Sequence, residues 1–178
     1  MTRGEKVFET ELNLITNNEI RELIVDILRF APRYFWQVPS STSAKYHPPD
    51  ENKVGGKLLH TKRAVYIAYQ LARMHDLSKL ETDLLIGAMI IHDICSQGSA
   101  NIPSQRTEPD HPLLVRKITT DLEQRPYYDD VMSIVETHMG RWGPIPPKSE
   151  LQNLAHISDY ISSRKEVVIN VRYDSNRQ

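Results

Sequence analysis

The adjacent pair His92 and Asp93 is the strongest candidate for chemistry, because it ends a segment that is otherwise almost wholly apolar. A carboxylate carried into a helical interior without a partner is strongly destabilising. No lysine or arginine occurs between positions 82 and 100, so the neighbouring chain offers no cation. Imidazole and carboxylate are the usual ligands of Zn, Mn and Fe at catalytic sites, and a bound metal would therefore stabilise the pair.

Further metal-ligating residue types recur along the chain. His60 follows a Gly-Gly pair that lets the preceding loop fold close to it, and Asp159 lies in the last strongly helical segment. Between them, His111 opens one helical segment and His138 lies near the end of another. Each of these positions is one where a helix terminus or face could meet a central site.

The order His, His-Asp, His, His and Asp along successive helical segments resembles the HD superfamily of metal-dependent phosphohydrolases, over about residues 35–165. The segment SSTSAKYHPPDENKVGGKLLHT is also similar to the motif around the first ligand of HD proteins that include 3′→5′ exonucleases. The resemblance implies that a first metal is held by His60, His92, Asp93 and Asp159. It implies a second metal held by His111 and His138, with Asp93 as the bridge.

The implied activity is hydrolysis of phosphoester bonds in nucleotides by a metal-activated hydroxide, with His92 and Asp93 as catalytic residues. The expected cofactors are one or two divalent ions, which could be Mn, Fe, Zn, Co or Ni, with Mg possible. The expected substrate is a small nucleotide or a short oligonucleotide. The alternatives are a 3′→5′ exonuclease or cyclic or oligonucleotide phosphodiesterase, an HD-fold di-iron oxygenase, and a non-catalytic module that keeps the fold.

The residues that would bind phosphate are harder to assign. Many HD proteins have a lysine shortly after the His-Asp pair, whereas here Ile94, Cys95, Ser96 and Gln97 follow, and the Gly-Tyr-Pro signature of cyclic-di-GMP phosphodiesterases is absent. The candidates for substrate binding are Lys45, His47, Lys57 and Arg141. Each has an ordinary structural alternative, as a surface charge, a loop-packing residue or a cation at a helix C-terminus.

The helical periodicity predicts an all-α protein, a compact HD-domain bundle of five to seven helices. The expected helices run from Thr16 to Pro32, Lys57 to about His75, Leu80 or Thr82 to Ile94, Asp110 to about Gln124, Tyr127 to Met139 and onward from Ser149. Thr16 and Asp110 are the expected N-caps of two of them, and Gly140 the left-handed cap of another. The tail EVVINVRY is either a helix extension or one short strand.

A long irregular segment between positions 32 and 56 is expected to be functional or disordered. Its aromatic residues Tyr34, Phe35 and Trp36 either stack a nucleobase or anchor the segment to the core.

Composition limits the classes of protein. A length of 178 residues fits a single domain with its core at about 35–165 and with 1–15 and 166–178 peripheral. The net charge of −1 argues against electrostatic coating of nucleic acid, so no stable duplex partner is expected. The single cysteine, Cys95, and the lack of a long apolar run favour a cytoplasmic protein without membrane contact. A homo-oligomer is left open as a partner.

Overall fold

The computed structural model describes residues 1–171, and within them every regular element is helical. The α-helices are α1 (Arg3–Val7), α2 (Glu9–Leu12), α3 (Asn18–Arg29), α4 (Gly56–Met74), α5 (Lys79–Ile91), α6 (His111–Ile118), α7 (Tyr128–Val135) and α8 (Glu150–Ser162). The all-α prediction is confirmed. The eight helices of residues 1–171 exceed the expected five to seven because α1 and α2 are short helices that precede Thr16. No described helix is both long and apolar enough to cross a membrane.

Helix α5 is the centre of the bundle. Its residues are buried without interruption from Asp83 to Ile91, and it packs against α3, α4, α7 and α8. A helix that is apolar on all sides is stable only when other helices surround it, which is what its sequence predicts. The C-terminal end of α5, where His92 and Asp93 follow, therefore lies among the other long helices.

The start of α3 differs from the sequence prediction. Asn17, not Thr16, is the N-cap, and its side-chain oxygen accepts hydrogen bonds from the amides of Glu19 and Ile20. Thr16 instead donates its amide and its hydroxyl to the carboxylate of Asp83, at 2.9 and 2.8 Å. A buried acid of α5 thus fixes the first turn of α3, and it is satisfied without a metal.

The long segment between α3 and α4 is anchored by its aromatic residues. Tyr34, Phe35 and Trp36 are all buried, and Phe35 packs edge-on against Trp36 with ring centroids 5.0 Å apart. The Tyr34 hydroxyl donates to the carbonyl of Gly98 at 2.6 Å. The anchoring alternative is therefore correct for these three residues, and base stacking is excluded because their rings face the core.

The later helices are shorter than the periodicity predicts. Helix α6 ends at Ile118 and is followed by a 3-10 turn. Asp110 is its N-cap residue, as predicted, but makes no side-chain capping hydrogen bond. Gly140 does adopt the predicted left-handed conformation, with φ of +58°. Positions 166–171 form neither helix nor strand, and the rest of the tail segment lies outside the described residues.

Candidate metal centre

The fold brings together all six side chains that the sequence analysis proposed as metal ligands. His60 comes from α4, His92 and Asp93 from the chain directly after α5, His111 from the first residue of α6, His138 from the turn after α7, and Asp159 from α8. The four imidazoles have at most 1% exposure, and Asp93 has 8%. The six residues come from five separate parts of the chain and form one cluster of nitrogen and oxygen donors, in which all but the half-buried Asp159 are buried.

The carboxylate of Asp93 lies between two groups of histidines. Its Oδ1 is 3.0 Å from Nε2 of His111 and 3.7 Å from Nε2 of His138. Its Oδ2 is 3.8 Å from Nε2 of both His60 and His92. Each oxygen therefore faces a different pair of imidazoles, which is the arrangement that a carboxylate needs to bridge two cations.

Asp159 completes the group that contains His60 and His92. Its Oδ1 is 3.0 Å from Nε2 of His60 and 3.5 Å from Nε2 of His92. This single oxygen of Asp159 therefore faces the Nε2 atoms of His60 and His92, which also face Oδ2 of Asp93. Donor atoms drawn from these residues lie within 4.8 Å of one another in three overlapping groups that are suited to metal ions.

Hydrogen bonds to backbone carbonyls fix the protonation of three of the imidazoles. The Nδ1 atoms of His92, His111 and His138 donate to the carbonyl oxygens of Met89, Glu108 and Val135, at 2.8, 2.7 and 2.7 Å. A carbonyl can only accept, so the proton of each neutral ring is on Nδ1 and the lone pair is on Nε2. This is the tautomer that a metal-ligating histidine requires.

The Nε2 lone pairs of these three histidines lie close together, and the described residues donate no hydrogen bond to them. Nε2 of His92 is buried and has no hydrogen-bond partner within residues 1–171. The Nε2 atoms of His111 and His138 lie 3.1 Å apart, although neither carries a proton in this tautomer. A buried lone pair that faces other lone pairs is destabilising unless a cation lies between them, so the residues fit divalent metal ions.

Glu51 supports the cluster, and the sequence analysis did not single it out. This fully buried carboxylate lies 3.6 Å, at Oε2, from Nδ1 of His60, and it accepts a hydrogen bond from Nδ1 of His47 at 2.9 Å. Arg63 donates to its other oxygen at 2.6 Å. Although burial opposes the charge, Asp159 and Glu51 together raise the pKa of His60 to about 9. Carboxylates placed behind ligating histidines orient the ring and strengthen it as a ligand.

A glycine makes the contact with Glu51 possible. A Cβ atom at Gly56 would lie 1.7 Å from the carbonyl oxygen of Glu51, so only glycine lets the loop pass this close to the start of α4. The Gly-Gly pair before His60 was the only sequence signal of this approach. It predicted that the loop folds close to His60 but not which side chain the loop contributes.

His47, Glu51 and His60 also lie close enough together to suggest a further ion. Their geometry favours a hydrogen-bonded network instead, because Glu51 already accepts from His47 and Arg63 and because Nε2 of His60 faces Asp159. Arg63 is held in turn by Asp50, with which it makes two further hydrogen bonds of 2.9 and 2.6 Å.

Lys57 corrects one premise of the sequence analysis. Its ammonium lies 2.6 Å from Oδ2 of Asp93, although no cation was available near Asp93 in the chain. Burial opposes the ionised form of Asp93, but Lys57 and His92 hold its pKa well below the usual range. Lys57 was proposed to bind phosphate, and in this structure its ammonium is committed to Asp93.

The other residues proposed for substrate binding divide into two groups. His47 lines the cavity above the cluster. Lys45 and Arg141 are exposed, lie over the rings of Tyr46 and Trp142, and are not among the described residues that line the cavity. The surface alternative therefore describes these two cations better.

The cavity itself has a volume of about 440 Å³. Its floor includes His60, Asp93, His111 and Asp159, so the carboxylates and imidazoles open into it. Its wall includes residues that the sequence analysis did not propose: Tyr46, Trp142, His156, Tyr160 and Arg164. The size is in the range that binds a single small molecule.

The comparison with family models agrees with this arrangement. The family described as HD domain matches residues 58–164, which include all six candidate ligands. The chain therefore belongs to the HD-domain family, whose members are generally metal-dependent phosphohydrolases. Neither the search of curated proteins nor the search of solved structures returned a match.

Proposed function

We propose that this chain is a two-metal phosphohydrolase that acts on nucleotides. The observation that carries the proposal is the position of Asp93, whose two oxygens face separate pairs of imidazole nitrogens. A site that held a single metal ion would leave one of these two pairs of imidazole nitrogens without a metal to bind. A first ion would be held by His60, His92, Asp93 and Asp159 and a second by Asp93, His111 and His138, which engages all six candidate ligands.

The ions, when bound, supply an activated water and positive charge at the phosphorus. The residues of the protein hold the ligands in position and shape the surroundings of the site. Backbone carbonyls orient three ligand rings, and the Ser162 hydroxyl, 3.3 Å from Nδ1 of His60, orients the fourth with the charge of Glu51 behind it, so little reorganisation is needed when ions bind. The surrounding helices shield His92 and His138 from water, while His60, His111, Asp93 and Asp159 line the cavity through which substrate would enter.

The cavity volume and the charge of the chain favour a small nucleotide over a polymer. A space of about 440 Å³ holds one nucleotide, and the net charge of −1 gives the chain no overall basic excess to attract a polynucleotide backbone. Exonuclease and phosphodiesterase activities remain outcomes of the test.

The test combines metal analysis with a turnover screen. Protein purified without chelator is assayed for bound metal, then for hydrolysis of nucleoside mono- and triphosphates, cyclic nucleotides and short single strands with Mn, Co, Ni and Mg. Asp93→Asn is expected to lose both ions and all turnover. Asp129→Asn, which removes a carboxylate whose side chain is 84% exposed, is the matched control and is expected to keep both.

Three results would contradict the proposal. They are hydrolysis that persists in Asp93→Asn, the absence of hydrolysis with every metal and substrate, and bound iron with oxygen consumption in place of hydrolysis. The last result would assign the same ligands to an oxygenase.

A further inference from the structure

Arg164 is placed where a substrate anion could meet it. It follows the C-terminal end of α8, five positions after Asp159, and it lines the same cavity as the metal cluster. Its guanidinium carbon lies 4.4 Å from the ring centroid of Tyr160 and 5.1 Å from that of Tyr46. Contact with two aromatic rings holds the planar group in position before any ligand binds.

This guanidinium forms no ion pair with any carboxylate of residues 1–171. The other cations close to the cluster are committed, Lys57 to Asp93 and Arg63 to Asp50 and Glu51. Among the described residues, Nε of Arg164 is buried without a hydrogen-bond partner, and the side chain's one donated hydrogen bond runs from Nη2 to Ser163, at 3.1 Å. An arginine with unused donors beside a cavity is suited to a phosphate, which accepts two parallel N–H bonds.

An exposed pair of aromatic rings adjoins Arg164. Trp142 and Tyr160 stack with an interplanar angle of 7° and a centroid separation of 5.6 Å. They are 52% and 40% exposed, and both line the cavity. Arg164 lies over one face of Tyr160, and the exposed Arg141 lies 4.6 Å over the ring of Trp142. A base would therefore stack on Trp142 in place of Arg141, as any base can on an aromatic face.

We propose that Arg164 binds a phosphate oxygen of the substrate and that the paired rings of Trp142 and Tyr160 receive its base, so that together they select a nucleotide. The proposal rests on the proposed function for the presence of a phosphoester at the metal centre. Asp159 and Tyr160 are adjacent in α8, so one helix end carries both a metal ligand and part of the recognition surface. The long Pro-rich loop contributes Tyr46 on the other side of Arg164.

The first test measures the contribution of the guanidinium. Arg164→Gln is expected to raise KM for a nucleoside monophosphate about 10- to 100-fold, the loss typical of a charged hydrogen bond, with kcat within about 2-fold. Arg164→Lys keeps the charge without the planar fork and is expected to recover part of the loss. Metal content and thermal unfolding are measured in parallel, because a merely structural defect would change them.

Arg73→Gln is the matched control. Arg73 also lies over an aromatic ring, that of Tyr69 at 5.8 Å, but it is exposed and is not among the described residues that line the cavity. Its kinetic constants are expected to stay at the wild-type values. An unchanged KM in Arg164→Gln, or an equal rise in Arg73→Gln, would overturn the role of Arg164 while the hydrolase function stands.

The second test separates the base from the phosphate. Trp142→Ala is expected to raise KM about 5- to 100-fold for the nucleoside monophosphate and to leave KM for ribose 5-phosphate unchanged. Arg164→Gln is expected to raise KM for both compounds. A loss in Trp142→Ala that is equal for both compounds would overturn the base-binding role.

Equilibrium binding covers the case in which the purified protein hydrolyses nothing. Calorimetric titration with a nucleoside monophosphate and with the corresponding nucleoside then replaces KM. Weaker binding of the monophosphate alone in Arg164→Gln would support the recognition site although the hydrolase proposal had failed. Absence of binding to the wild-type protein would overturn both.

Discussion

Replacement of Glu51 by glutamine tests whether the loop before α4 tunes the metal centre. The change keeps the size of the side chain and removes one negative charge that lies 3.6 Å from Nδ1 of His60. The Ser162 hydroxyl still lies 3.3 Å from Nδ1 of His60, but the amide no longer places a negative charge behind the ring, so the ring becomes a weaker ligand. Nothing in the change touches Asp93 or Asp159 directly.

The expected loss of metal affinity follows from the position of Glu51 behind His60, a candidate metal ligand. Removing a partner behind a ligating histidine typically lowers metal affinity about 10- to 100-fold, or about 1.4–2.8 kcal/mol. The free energy of unfolding should fall by less than the roughly 3–5 kcal/mol expected when a buried ion pair is broken. Arg63 still has Asp50 as a partner, through two hydrogen bonds of 2.9 and 2.6 Å. The Glu51→Gln protein should therefore fold but bind metal weakly.

The assay is a competition of Zn or Mn between the protein and a chelator of known affinity, with unfolding followed by circular dichroism. Asp50→Asn is the control, since it removes the other partner of Arg63 and leaves His60 untouched. It should retain the wild-type metal affinity. The reasoning is refuted if Glu51→Gln binds metal as tightly as wild type, or if Asp50→Asn loses as much affinity.

Three further predictions concern the same region. Lys57→Met removes the cation 2.6 Å from Asp93, so thermal unfolding should shift down more in chelator than in saturating Mn; equal shifts would contradict this. Gly140→Ala puts a Cβ at φ of +58° and 2.4 Å from the His156 ring, and urea unfolding should show a loss of at least about 1 kcal/mol. Cys95 is fully buried, and burial raises its pKa to about 12. Iodoacetamide should therefore label it at about pH 8 only after unfolding, as mass spectrometry would show.

The candidate ligands could be found from sequence because their surroundings are unusual there. His92 and Asp93 stand out against the apolar length of α5, and the spacing of the other four places each at a helix start, end or buried face. The partner of Asp93 could not be found in the same way. Lys57 is 36 residues away, and only the packing of α4 against α5 brings its ammonium to the carboxylate.

The N-cap of α3 is a second feature that the local sequence does not determine. Thr16 and Asn17 are both good N-cap residues, and the sequence alone does not choose between them. The choice depends on Asp83, which binds the amide and hydroxyl of Thr16 from α5 and leaves Asn17 to cap α3. A tertiary hydrogen bond therefore decides a boundary that local propensity leaves open.

The arginines near the cavity show why a substrate site is harder to predict than a metal site. Arg141 and Arg164 both lie over aromatic rings close to the cavity, and only Arg164 lines it. Metal ligands must be buried donors, so burial patterns in the sequence reveal them. A phosphate-binding arginine is only half-buried and resembles any cation near a helix end. What distinguishes Arg164 from Arg141 is its position in the cavity lining between two rings, those of Tyr46 and Tyr160, and this arrangement exists only after the loop and α8 have packed together.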